Sequence, residues 1–248
     1  MPGVGSQDLH TEIVDGEIVK IYLGFTGNKT VATFMRKYDC GWLFTPNNYS
    51  KNFRESFIID NGVYSAWKNN IAWDEKRFYE FLREFIPYKP DFTVIPDIVA
   101  GGYDSLKFSL KHIDGIPHPR YLAVQDGMQS DPIRKIINKI DGIFVGGTVK
   151  WKMRTVGMWA DTAHLHGIKC HVGRIGTFQG YALCDAWGVD SVDGTNPSRN
   201  CDERPLRMFK EQKTFNSFEW MDVEENSEFP RFCTRDLSKQ CNGCGICW

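Results

Sequence analysis

The sequence has no long hydrophobic run and no segment of the kind that leads a protein into a membrane. Along its 248 residues, apolar side chains nowhere approach the roughly 18 in succession that a membrane-spanning helix requires. The opening stretch, MPGVGSQDLHTEIVDGE, holds no apolar core of a secretory signal. We therefore expect no membrane partner and a cytoplasmic location.

An excess of charge of one sign is also missing. Lys and Arg number 30 and Asp and Glu number 31, so the formal net charge is −1. Such a chain does not hold nucleic acid by its average field, and binding of that kind requires a local basic patch. With 42% hydrophobic and 25% charged residues, the composition is ordinary for a globular protein with one barrel-sized domain or two small ones.

Cysteine is present but unevenly placed. Four of the eight cysteines are scattered through the body of the chain, and four crowd the last sixteen residues. The crowded set is Cys233, Cys241, Cys244 and Cys247. In a reducing compartment, clustered cysteines bind metal more often than they form disulfides, and these spacings suit tetrahedral zinc or an iron–sulfur cluster. We predict a short cysteine-rich, metal-binding extension over residues 216–248, with a metal-free reduced tail as the alternative.

Short apolar runs alternate with segments of helical character. The predicted strands cover residues 20–24, 42–45, 57–60, 92–96, 120–124, 142–146, 169–173 and 190–193. The predicted helices cover residues 28–38, 73–85, 103–112, 130–140, 152–166, 177–186 and 202–212. Continuous apolar runs without alternation are typical of parallel strands that are buried on both faces. Asp74 and Ser130 are placed to cap two of the helices.

Eight alternations of strand and helix favour an α/β fold of the closed (β/α)8 TIM type over residues 1–215. A doubly wound open sheet is the rival, because periodicity does not distinguish it from a barrel. In a barrel, catalytic groups lie at the C-terminal ends of the strands. The polar and glycine residues at those ends are Asp60, Asp97, Gln125, Gly146, Gly147 and Asp193. We expect the three carboxylates to converge at one mouth, although each alone could be a turn or loop residue.

An ordered set of motifs at these strand ends resembles a known enzyme family. The motifs are IIDNGVYSAW, PDIVAGG, AVQDGM, DGIFVGGTVK, CHVGRIG and WGVDSVDGTNPSR. In this order they resemble the tRNA-guanine transglycosylases, and more closely the shorter phage and bacterial relatives that insert 7-deazaguanine bases into DNA. The resemblance implies a TIM-type barrel and a pentosyltransferase that exchanges a base on a nucleic acid.

The resemblance also implies roles for individual residues. Asp193 would be the covalent nucleophile and Asp60 the general acid/base. The residues implied to bind the base are Asp97, Gln125, Gly146 and Gly147. Asn61 and Gly62 stand where the family has Ser-Gly. The chemistry suits these residue types, because one carboxylate can trap an oxocarbenium-like sugar while a second moves a proton to and from the base.

The partners follow from the same resemblance. We expect nucleic acid, with DNA favoured over tRNA because the additional C-terminal region of the longer tRNA enzymes is not found, and a 7-deazaguanine base such as preQ0. The resemblance favours zinc over an iron–sulfur cluster at the C-terminal cysteines, although the family's own ligand pattern is not found. No organic cofactor is expected, and the location is the host cytoplasm if the chain is phage-encoded.

A basic stretch is the candidate for contact with nucleic acid. Residues 150–176 hold five Lys or Arg against one Asp. The cations expected to contact the nucleic-acid backbone are Lys150, Lys152, Arg154, Arg174 and Arg199. A base in a duplex must be flipped out to reach a barrel mouth. The aromatic residues expected near the mouth, where they could stack bases, are Tyr64, Trp67, Tyr103 and Phe178.

Two other functions fit the same sequence. The barrel could be an N-glycosidase or ribosyltransferase that acts on free nucleosides or on tRNA, which the near-neutral charge permits. It could also be a catalytically inactive module that binds nucleic acid.

The cysteine cluster can be tested by metal analysis. We expect Cys241→Ser and Cys244→Ser each to lose the bound metal, because the four thiolates would hold one ion or cluster jointly. The measurement is metal per mole of purified protein, with Cys201→Ser, which lies outside the cluster, as the control that keeps its metal. Wild-type protein purified without metal would rule the site out.

Overall fold

Eight short parallel strands organise residues 18–211, which are the residues that the computed structural model describes. The strands are β1 Lys20–Gly24, β2 Gly41–Phe44, β3 Phe57–Ile59, β4 Thr93–Val94, β5 Arg120–Val124, β6 Gly142–Val145, β7 Lys169–Val172 and β8 Ser191–Gly194. They form a closed barrel in chain order. The register that pairs Lys20 with Ser191 and Leu23 with Gly194 joins β1 to β8. This pairing confirms the predicted (β/α)8 barrel and excludes the open sheet.

Helices follow the strands around the barrel. They are α1 Lys29–Lys37, α2 Val63–Lys68, α3 Glu75–Phe85, α4 Gly102–His112, α5 Ser130–Arg134, α6 Val149–Leu165, α7 Phe178–Ala186, α8 Asn196–Asn200 and α9 Arg204–Glu211. The predicted cap is confirmed at Asp74, whose Oδ1 accepts the N–H of Arg77 at 2.9 Å. No helix of the described residues is long and apolar enough to cross a membrane.

Two features of the helices differ from the prediction. The predicted helix over 130–140 is only α5, followed by a 3₁₀ turn at Ile137–Lys139, and its N-cap is Gln129 rather than Ser130. The β-branched pair Ile136-Ile137 gives this segment a weak helix propensity, which explains its early end. The short helices α2 and α8 had no amphipathic pattern long enough to predict them.

Aromatic side chains fill the N-terminal part of the barrel. The buried cluster there comprises Tyr22, Leu43, Ile58, Phe92, Val94, Tyr121 and Ala123, with Phe144 packed against it. The rings of Phe92 and Tyr121 stack with centroids 3.8 Å apart. The barrel is therefore a packed core in this part, and a substrate site can form only beyond it.

Glycines on neighbouring strands make room for these rings. A Cβ atom at Gly142 would lie 2.5 Å from the ring of Tyr121, and one at Gly173 would lie 2.5 Å from Phe144. Real Cβ atoms do not approach other atoms so closely. Each large ring thus occupies the space that the glycine on the next strand leaves empty.

Strand alternation carries polar side chains into the barrel at the other end. Successive inward positions lie two residues apart. Three polar residues lie two positions after an inward side chain of their strand. They are Asp60 after Ile58, Gln125 after Ala123 and Asp193 after Ser191. The three side chains therefore share the C-terminal rim, where barrel enzymes hold their active sites.

The packing of ring against glycine can be tested at Gly142. We expect Gly142→Ala to lower the free energy of unfolding by about 1–3 kcal/mol, because the buried ring of Tyr121 is stacked on Phe92 and cannot move aside freely. The measurement is urea denaturation. Gly27→Ala is the control, since a Cβ there meets nothing within 4 Å. Equal stability of the two variants would show that the ring yields without cost.

Candidate active site

Asp193 lies at the centre of the C-terminal rim and is 4% exposed. Its Oδ2 lies 2.9 Å from Nε2 of His171, and its Oδ1 accepts the backbone N–H of Arg174 at 3.2 Å. Both oxygens of the carboxylate therefore have a hydrogen-bond partner from the next strand or the loop after it. This arrangement holds the side chain in one orientation.

His171 is the partner that sequence reasoning missed. It is fully buried on β7, and its Nδ1 lies 2.8 Å from Oγ of Ser191. Because a carboxylate only accepts hydrogen bonds, Nε2 of His171 donates to Asp193. The ring also stacks on Phe144 with centroids 4.9 Å apart. In the sequence, His171 lies within the basic stretch 150–176. The signal for a buried, inward side chain was its place on β7 two residues before Gly173, because inward positions alternate along a strand.

The Asp-Asn-Gly turn after β3 presents Asp60. Oδ1 of Asp60 accepts the N–H of Gly62 at 2.7 Å, and Oδ1 of Asn61 accepts the N–H of Val63 at 2.9 Å. Gly62 has a φ of +76°, a conformation that favours glycine. The side chain of Asp60 therefore stabilises the turn through its bond to the Gly62 N–H. A role in the turn does not exclude a chemical role for the same carboxyl group.

Burial raises the pKa of the Asp60 carboxyl to about 7, and the negative charges of Asp193 and Asp97 raise it further while the Gly62 N–H opposes the shift. A carboxyl group with a pKa near neutrality can both donate and accept a proton at physiological pH. Asp60 is therefore suited to acid/base chemistry.

Asp97 is held by two amide side chains. Its Oδ1 accepts the Nδ2–H of Asn61 at 2.9 Å, and its Oδ2 accepts the Nε2–H of Gln125 at 2.5 Å. Burial raises the pKa of Asp97, and these two hydrogen bonds oppose the shift. Asn61 thus links the loops after β3 and β4, a role that sequence reasoning did not assign to it.

Gln125 offers a buried acceptor. The residue is 4% exposed, and among the described residues its Oε1 has no hydrogen-bond partner. Buried polar atoms in folded proteins are nearly always paired, so an acceptor of this kind points to a group that arrives with a donor. A Cβ at Gly146 would lie 3.1 Å from Nε2 of Gln125, so glycine there leaves room for this amide.

The backbone of the two glycines after β6 is already engaged. The N–H of Gly146 donates to the carbonyl of Val124 at 3.0 Å, so this amide is already paired. The carbonyl of Gly147 accepts the guanidinium of Arg174 at 2.5 Å. Gly147 has a φ of +75°, and a Cβ there would collide with the side chain of Asp126. The two glycines therefore shape the loop, and the binding of a base by their backbone stays a prediction.

Lys152 does not lie where the sequence placed it. The side chain is fully buried, and its Nζ donates to the carbonyl of Gly173. Burial lowers the pKa of Lys152 to about 8, with the charge of Arg174 adding to the effect and that of Asp193 opposing it. The prediction that Lys152 contacts a nucleic-acid backbone is therefore wrong, because no phosphate can reach it. Lys152 instead places a positive charge beneath the rim.

The other predicted cations are exposed. Lys150 and Arg154 lie on α6 and Arg199 lies on α8. Arg174 lies in the loop after β7, with its Cζ 4.6 Å from the ring centroid of Tyr64. All four are exposed to solvent, and their contact with a nucleic-acid backbone stays a prediction.

The predicted metal ligands Cys233, Cys241, Cys244 and Cys247 lie outside the described residues. Within residues 18–211, no group of three or more His, Cys, Asp or Glu side chains is arranged to hold a metal ion. The cysteines of the barrel are free thiols, and of them Cys40, Cys170 and Cys184 are buried.

No protein-family model matches the chain, and no curated protein matches it. The arrangement of side chains at the rim therefore carries the functional argument.

The raised pKa of Asp60 can be tested through stability. An ordinary Asp titrates near about pH 4 in the unfolded chain, so the folded protein binds more protons between about pH 4 and 7 and loses stability as the pH rises through that window. We expect Asp60→Asn to be more stable than wild type above about pH 7, with the difference disappearing near about pH 4. The measurement is urea denaturation across this pH range.

The matched control is Asp131→Asn, whose side chain is 82% exposed in wild type. A difference between Asp60→Asn and wild type that is the same at every pH would contradict the raised pKa.

Proposed function

We propose that the chain is a base-exchanging glycosyltransferase that replaces guanine in a nucleic acid, DNA in preference to tRNA, by a 7-deazaguanine base. The observation that carries this proposal is a pair of carboxylates with different environments at one barrel mouth. Both oxygens of Asp193 accept hydrogen bonds, whereas burial and two neighbouring charges raise the pKa of Asp60 to about 7. Base exchange needs one carboxyl group that transfers a proton and a second that attacks the sugar. Different environments allow two carboxyl groups at one site to take these two roles.

The first step breaks the N-glycosidic bond. A carboxylate oxygen of Asp193 attacks C1′ of the sugar, and the bond between C1′ and the base nitrogen breaks. The proton of the Asp60 carboxyl passes to the leaving base, so Asp60 becomes a carboxylate and Asp193 an ester. The positive charge that develops on the sugar is stabilised by the carboxylate that then traps it.

The second step reverses the roles with a different base. Asp60 accepts a proton from the ring nitrogen of the incoming 7-deazaguanine, and this nitrogen attacks C1′ and displaces Asp193. Asp60 returns to its protonated form and Asp193 to its carboxylate. A group with a pKa near 7 suits both directions of proton transfer.

The base would be recognised by the acceptors at the rim. A guanine edge presents adjacent N–H donors, and the unpaired Oε1 of Gln125 can accept one of them. A carboxylate has about four lone-pair sites, and the two amide donors on Asp97 use two of them. Asp97 can therefore accept further hydrogen bonds from the same edge. The contact with Gln125 orients both groups together.

His171 and Lys152 would support the nucleophile from below. His171 fixes the direction of the Asp193 carboxylate through Nε2, and the charge of Asp193 in turn raises the pKa of the buried Lys152 against the effect of burial. Neither side chain is exposed to solvent. They act through Asp193, and we assign them positioning roles.

The proposal is tested by exchange and by trapping. With a single-stranded oligodeoxynucleotide that carries labelled guanine, together with a 7-deazaguanine base, we expect wild-type protein to release label and form a covalent adduct that survives denaturing electrophoresis. Asp193→Ala should lose both, and Asp193→Asn, which keeps the size of the side chain, should lose both as well. Label release by either variant would remove Asp193 from the role of nucleophile.

Asp60→Asn separates the two carboxylates in the same assay. We expect it to lose label release while circular dichroism shows an intact fold, because the leaving base then receives no proton. If the wild-type protein releases label without incorporating the new base, the chain is instead an N-glycosidase. Release from a free nucleoside and not from the oligonucleotide would favour the nucleoside alternative.

A further inference from the structure

Arg174 spans the mouth of the barrel. It follows β7, and its guanidinium donates to the carbonyl of Gly147 in the loop after β6 at 2.5 Å. Its Cζ also lies 4.6 Å from the ring centroid of Tyr64 in α2, which follows β3. In a closed barrel of eight strands in chain order, β3 and β7 lie on opposite sides. The contact with Tyr64 therefore reaches across the opening above the carboxylates.

The backbone of Arg174 is fixed by the site beneath it. Its φ is +60°, a left-handed conformation that L side chains other than Asn and Asp seldom adopt. In this conformation the N–H of Arg174 donates to Oδ1 of Asp193. The residue thus contacts the proposed nucleophile through its backbone, and its side chain lies across the mouth.

The guanidinium has no anionic partner in this position. Among the described residues it forms no ion pair, and its two contacts are with a neutral carbonyl and an aromatic face. The charge of Lys152 lies close enough to interact with it unfavourably. A phosphodiester oxygen pair offers a charged, two-point partner that matches the planar guanidinium better than either contact.

We propose that Arg174 is a phosphate-operated latch that makes this site selective for nucleotides within a polynucleotide over free nucleosides. A backbone phosphate next to the target nucleotide draws the guanidinium away from Gly147 and Tyr64. The mouth then opens, and the face of Tyr64 and the carbonyl of Gly147 become accessible. A nucleoside carries no phosphate and leaves the latch closed. This inference rests on the proposed base exchange and adds that polynucleotides, rather than free nucleosides, gain access to the site.

The kinetic test compares two substrates. For Arg174→Ala we expect the KM of a single-stranded oligodeoxynucleotide to rise about tenfold, because a charge-assisted hydrogen bond is lost. The kcat/KM for deoxyguanosine should not fall, because the mouth stands open. The ratio of the two kcat/KM values should therefore drop at least about tenfold. Arg174→Lys, which keeps the charge without the planar fork, should give an intermediate ratio.

Arg83→Ala is the control, because Arg83 is an exposed arginine of the outer helix α3. It should keep the wild-type ratio. If Arg174→Ala also keeps the wild-type ratio, the latch proposal is overturned.

A direct measurement separates the latch from the reaction. The Nε–H resonance of Arg174, assigned by its loss in Arg174→Lys, should be shifted by the ring current of Tyr64. Addition of the oligodeoxynucleotide should remove that shift, and addition of deoxyguanosine should not. Exchange activity with an unmoved resonance would refute the latch and leave the proposed function standing. A resonance that moves in a protein without exchange activity would support the latch and refute the reaction.

Discussion

The two-residue alternation of parallel strands in a closed barrel is the constraint on which the site depends. Closure through the pairing of β1 with β8 gives the barrel a single interior, and alternation decides which side chains enter it. The inward set begins with stacked rings and ends with Asp60, Gln125 and Asp193. A shift of one residue in any of these strands would carry its polar end group out of the mouth and an apolar group into it.

Three carboxylates in one mouth are stable only because each has its own set of donors. Asp193 uses His171 and a backbone amide, Asp97 uses two side-chain amides, and Asp60 uses the amide of its own turn. Burial raises the pKa of a carboxyl group and hydrogen bonds from donors lower it. At Asp60 and Asp97 burial is the larger of the two effects. The three carboxylates therefore have different surroundings although they lie at one rim.

Several residues serve the fold and the site at once. The glycines beside Tyr121 and Phe144 allow the rings to fill the barrel, and that packing positions the strands whose ends carry the acids. Asn61 closes a turn with its oxygen and holds Asp97 with its nitrogen. The side-chain amide of Asn61 therefore supports both the turn after β3 and the carboxylate after β4.

The sequence by itself determined the alternation of strands and helices, because strand length, apolar content and the spacing of helices are local properties, and it determined that Asp60, Asp97 and Asp193 follow strands. Closure into a barrel rather than an open sheet was decided by the pairing of β1 with β8. Only the tertiary structure decided what surrounds the three carboxyl groups. Lys152 was predicted as a surface cation and His171 had no predicted role, yet both are buried near the rim, where their partners come from other strands and loops. Local pattern specifies elements, whereas a pKa, a buried charge or the reach of Arg174 across the mouth depends on distances that exist only after the barrel has closed.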